Sequence, residues 1–218
     1  MSEYVNNNAT QLAEDAFSEF DYDGYKDVPG KEYIESLNTV TTFYEYVYKY
    51  AQKNGFDGPK EDADLLANFL MKLGDDRKAP LSSLNTVKNW LKKAPPATNQ
   101  AGRENVYALC FVLGLNAKET KEFFLKAYLE RPFNYKNIHE AVYFFCMNNG
   151  LTYLKAKELI EKIEAIPESN QNKEAEVVTE QVGYVLSMKT TEDDFVKYIV
   201  DNRSGFAMQN QTATKKNR

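Results

Sequence analysis

The chain has 218 residues, 43% of them apolar and 27% charged, enough for one domain or one and a half and for a sizeable core. No run approaches the roughly 18 consecutive apolar residues of a membrane span. The opening MSEYVNNNATQLAED lacks the basic-then-apolar layout of a secretion signal, so a cytoplasmic protein is expected.

The net charge of −5 is unevenly spread. Residues 1–76 hold sixteen acidic and six basic side chains, a balance of −10, whereas residues 77–136 hold eleven basic and four acidic ones, a balance of +7. A basic segment inside an acidic chain points to a macromolecular partner. Cys110 and Cys146 lie in apolar text and are expected to be buried free thiols.

Residues 1–35 read as an acidic, partly irregular segment, with a short helix around 9–20. Helices are predicted over about 38–54, after Pro59 to Gly74, and over 83–93, 103–113, 116–128, 136–148, 152–165, 176–188 and 191–202. Gly55, Gly74, Gly114 and Gly150 each close a periodic stretch, where a left-handed cap is expected. Prolines fall between stretches or at their starts. Ser83, Asn116 and Thr191 are the expected N-caps; Asn116 with Glu119 forms a capping box. The FYEYVYKY run also alternates like a strand, but its length before Gly55 decides for helix. Its inward stripe is read as Val40, Phe43, Tyr44, Val47 and Ala51, and that of the next helix as Leu65, Leu66, Phe69, Leu70 and Leu73. Trp90 is expected in the core beside Leu84, Val87 and Leu91. Residues 166–175 read as a linker and 206–218 as a disordered tail. The fold class is therefore all-α, with units over 36–131 and 132–205.

The 83–93 helix joins pattern to charge. Its apolar side is opposed by Ser82, Asn85, Thr86, Lys88, Asn89, Lys92 and Lys93, and no carboxylate interrupts residues 81–93. Hydrogen-bonding groups toward one end suit base edges, and positive charge toward the other suits phosphates. The plain alternative is a lysine-rich solvated face beside a core stripe.

Two stretches, SLNTVKNW at 83–90 and the text through NVYALCFVLGLNAKETKEFFLKA at 105–127, resemble the λ-repressor-like (XRE-type) helix-turn-helix family over about residues 38–130. The resemblance implies a five-helix domain followed by a smaller helical region, acting as a bacterial or phage transcription regulator. It implies a base-reading face of Ser82, Asn85, Thr86 and Asn89, and phosphate contacts from Arg77, Lys78, Lys88, Lys92 and Lys93. The turn DDRKAPLS is longer than the family's tight turn.

Other signals are weaker. His139 is the only histidine, and without a partner motif it reads as a packing or surface residue. The acidic run ending in Asp23 and Gly24 fails as a calcium loop, because Gly30 stands where the bidentate carboxylate belongs. Asp193 and Asp194 suit the start of a helix. No phosphate loop or nucleophile elbow is present, so neither catalysis nor a cofactor is expected. Crowded tyrosines at 44, 46, 48 and 50 are more than one inward stripe holds, and exposed tyrosine suits a protein interface. The second expectation is thus an acidic protein-binding module, such as a phage- or plasmid-encoded inhibitor (anti-restriction or anti-CRISPR type) of a nucleic-acid-processing enzyme. A homodimer is left open.

Overall fold

The computed structural model describes residues 42–166 and 179–206. The expectations for residues 1–41, for most of the linker and for the tail lie outside these. Helices make up 68% of the described residues, with no strand among them.

The element order is α1 (Phe43–Lys53), α2 (Ala63–Asp76), α3 (Leu84–Lys92), α4 (Gln100–Leu113) and α5 (Ala117–Phe123), which runs into a π-helical turn, Phe124–Tyr128. Then come α6 (Ile138–Asn148), α7 (Tyr153–Glu164), α8 (Thr179–Ser187) and α9 (Glu192–Asp201), closed by a short 3-10 turn. The predicted N-caps are where the pattern puts them. Ser83 accepts from the Thr86 N–H, Asn116 and Glu119 form a reciprocal capping box, and Thr191 accepts from the Asp194 N–H. Thr42 with Glu45 forms a second capping box that starts α1. Asn99 starts α4 three residues earlier than expected.

Gly55, Gly114 and Gly150 do take positive φ. Gly74 does not: α2 runs past it, and an added Cβ there would meet the Ala79 carbonyl oxygen at 3.0 Å. It is small because the chain folds back on it, and the left-handed turn falls at Lys78 instead. Of the expected α2 stripe, Leu66 and Leu70 are buried and Phe69 and Leu73 pack against the core, while Leu65 is 44% exposed and Ala67 and Gly74 are buried in addition.

One cluster of buried apolar side chains draws on all nine of the described helices. Aromatic rings form much of it. Phe123 meets Phe43 and Tyr46 edge-on, Tyr107 stacks on Phe133, and Phe145 stacks on Phe195 at 4.2 Å between centroids. Such pairs add about 0.5–1.5 kcal/mol beyond area burial. Among the described residues the buried polar side chains are Thr120, Asn137 and Glu140, and of these only Glu140 is ionisable. It accepts from Arg103 (Nε 3.0 Å, Nη2 2.7 Å), Tyr107 Oη (2.8 Å) and the Asn134 N–H (2.7 Å). Arg103 also donates to the Arg131 carbonyl, so one network ties α4, α6 and the loop between the π turn and α6.

Both cysteines are free and buried. Burial pushes the Cys110 thiol well up and the Cys146 thiol up to about 12, which keeps both as packing groups rather than thiolates.

Candidate nucleic-acid interface

Nine residues of α3 (LNTVKNWLK) place an apolar residue on one side at positions 84, 87, 90 and 91. Val87, Trp90 and Leu91 are buried, with Trp90 only 8% exposed, and Leu84 packs against the same cluster. The helix lies against α2, which precedes it, and against α1. The reverse side faces outward. Asn85, Asn89, Lys92 and Lys93 are exposed, following one another at helical spacing.

The nine candidate residues divide into four groups. Lys78, Asn85, Asn89 and Lys93 are exposed and make no side-chain hydrogen bond or ion pair among the described residues. Lys88 and Lys92 point to the flank that meets α2, where both pair with Asp64: Lys88 Nζ lies 3.1 Å from Oδ1, and Lys92 Nζ contacts Oδ2. Hydrogen bonds from Lys92 and then Lys88 hold the Asp64 carboxyl below the ordinary carboxylate range. Thr86 shares a hydroxyl contact with Ser83 at the helix start, 2.9 Å.

The remaining two turn inward. Ser82 donates to the Asn105 side-chain oxygen of α4, 2.9 Å. Arg77 donates to the Val112 carbonyl (2.5 Å) and to Asn54 Oδ1 (2.6 Å), while Asn54 donates to the Leu113 carbonyl. The guanidinium thus satisfies the end of α4, where helical carbonyls lack partners. An added Cβ at Gly114 would come within 2.8 Å of Arg77 Nη1. The outward array is therefore smaller than the pattern implies, and it contains a carboxylate. Asp64 sits in the first turn of α2, two residues after its N-cap Asp62; its position is legible in the sequence, but its reach to α3 is not.

The tyrosines of α1 also resolve. Tyr46 and Tyr50 are buried. Tyr44 and Tyr48 are half-buried and donate to the Lys60 and Gly58 carbonyls. None of the four offers a fully exposed ring.

Elsewhere an open groove of about 570 Å³ runs between the ends of α2 and α4 and the α6–α7 turn, with Phe111, Leu115, Met147 and Tyr153 among its walls. Among the described residues no group of three or more His, Cys, Asp or Glu side chains is placed to hold a metal ion. None of the described helices is long and apolar enough to cross a membrane. Comparison of the chain with protein families, with curated proteins and with solved structures found no match.

Proposed function

We propose that the protein binds duplex DNA through the outer face of α3, in the manner of a helix-turn-helix regulator. One observation carries this reading: the exposed, unpartnered stripe of Asn85, Asn89 and Lys93 on a helix whose other side is anchored by Val87, Trp90 and Leu91. Asparagine amides match the paired donor and acceptor of adenine in the major groove. The lysines beside them suit phosphates, which fix register without reading sequence. Asp64 sets the terms of binding. Lys88 and Lys92 exchange its carboxylate for phosphate, so the net gain in charge pairing is smaller than three free lysines would give.

The test is a titration of random and selected duplexes at several salt concentrations. Lys88→Ala and Lys92→Ala are each expected to weaken binding to every sequence and to flatten the log–log salt slope by about 0.9. Asn85→Ala or Asn89→Ala is expected to relax preference at one base position, at about 1–3 kcal/mol. Asp64→Asn is expected to tighten binding to all duplexes. Absence of binding to any duplex at about 50 mM salt defeats the reading.

The second reading is an acidic protein-binding module that competes for the nucleic-acid groove of an enzyme. The observation in its favour is Asp64 itself, which offsets two of the α3 lysines while Asp57, Glu61 and Asp62 stand exposed nearby in the chain. Capture of a protein from lysate that survives nuclease digestion and is lost in Asp64→Asn supports this reading over the first.

A further inference from the structure

The sole histidine of the chain stands where three helices meet. His139 lies in the first turn of α6, and its side chain is 12% exposed. Nε2 is 3.0 Å from Oε1 of Glu164, the last residue of α7, and Nδ1 is 3.4 Å from Oε1 of Glu104 on α4. Nδ1 is buried and has no well-formed hydrogen bond, so the contact with Glu104 is one of charge and proximity. The Tyr143 hydroxyl, one turn further along α6, donates to the other oxygen of Glu104. The Tyr143 ring in turn stacks on Tyr153 of α7 at 6.2 Å. Among the described residues the titratable groups facing the imidazole are Glu104 from α4, Glu164 from α7 and Tyr143 from its own helix. Arg103, next to Glu104, is committed to Glu140.

We propose that Glu104, His139 and Glu164 form a proton-operated clasp, fastening α7 to α4 across the start of α6 when the imidazole is cationic and loosening when it is neutral.

The chemistry of the ring makes this a switch rather than a fixed contact. A cationic imidazole donates from both nitrogens, whereas a neutral one has a single N–H and serves one carboxylate at most. On deprotonation the other carboxylate loses its attraction to the ring. The first turn of a helix is an unfavourable place for a cation, because the macrodipole is positive there. Nothing in α6 itself therefore favours the charged ring, and the two carboxylates do. Burial pulls the imidazole pKa down, but the two adjacent carboxylates, Glu104 and Glu164, outweigh it and leave it above the ordinary 6.5. The folded chain then holds this proton more tightly than the unfolded chain. The contribution to stability is full below pH 6.5 and is lost as the pH climbs through the folded-state value.

A single histidine makes the experiment clean. The imidazole proton resonance is followed from about pH 5.5 to about 8.5, the range in which histidine titrates. Amide exchange along α7, corrected for the intrinsic rate, is measured over the same range. In the wild type the imidazole titrates above 6.5, and α7 protection falls as it does so. The fall is about tenfold for each pH unit between the folded and unfolded values. In Glu164→Gln the midpoint moves down, and in His139→Gln the α7 protection is flat with pH. The idea is overturned by an imidazole that titrates at or below 6.5, or by an α7 pH course that is the same in His139→Gln as in wild type. If His139→Gln does not fold, Glu164→Gln decides alone, since its carboxylate is on the exposed side of the clasp; an unmoved imidazole midpoint there rejects the clasp.

Discussion

Lys78 holds a left-handed backbone, φ 52°, just after α2. An L-residue in that region costs about 1–2 kcal/mol, and only glycine, or to a degree Asn and Asp, occupies it freely. Its side chain is exposed and has no partner among the described residues; what holds the turn is backbone pairing, Lys78 N–H to the Asp75 carbonyl and Ala79 N–H to the Gly74 carbonyl, which a glycine would keep. Lys78→Gly is therefore expected to stabilise the fold by about 0.5–1 kcal/mol, after allowing for the greater freedom glycine has in the unfolded chain. Urea denaturation at neutral pH measures this. Lys78 is also one of the unpartnered cations among the candidate phosphate contacts, so the same substitution is expected to weaken duplex binding if the proposed function is right. Opposite signs in the two measurements would mark a residue kept for function at some cost in stability.

At the scale of the helix, short-range chemistry was readable and long-range chemistry was not. Asn116 shows why. Its side chain and that of Glu119 satisfy each other's backbone N–H groups across three residues, and a pattern confined to three residues is visible in the sequence. What the sequence did not disclose is that Glu119 also lies 3.6 Å from Lys53 and accepts from Tyr50, so the cap of α5 is moored to the end of α1. Asn116→Ala is expected to cost about 1 kcal/mol, read as a lower midpoint in urea. The same limit explains the candidate interface. Asn85, Asn89 and Lys93 face outward as their spacing said, because the buried side of α3 was plain from Val87, Trp90 and Leu91. Arg77 turns to Val112, thirty-five residues away, and Asp64 meets Lys88 and Lys92. Those pairings depend on how helices dock. Gly74 was misread for a related reason: glycine signals either a turn or a close approach, and only packing tells which.

Across the whole molecule, the joint between α4 and α6 depends on a buried charge. Glu140 is 2% exposed and is matched by Arg103, Tyr107 and the Asn134 N–H. Removing one member strands the other in low dielectric, which typically costs about 3–5 kcal/mol. Glu140→Gln keeps the shape and removes the charge, leaving the Arg103 guanidinium without its counter-ion, so a loss of that size in urea denaturation is expected. Neither Arg103 nor Glu140 was singled out by the sequence, where they sit thirty-seven residues apart with no shared motif.

The chain carries one indole and one imidazole. Trp90 lies on the inner side of α3, and His139 is held between α4, α6 and α7. Each gives a signal that no other residue can produce, the one by emission and the other by magnetic resonance. The unlabelled protein thus reports separately on the seat of its candidate interface and on its clasp. A duplex that shifts the indole emission while leaving the imidazole resonance unmoved would mean that occupancy at α3 stays local. Movement of both would mean that the two regions share one equilibrium, and the proton and the partner would then be thermodynamically linked.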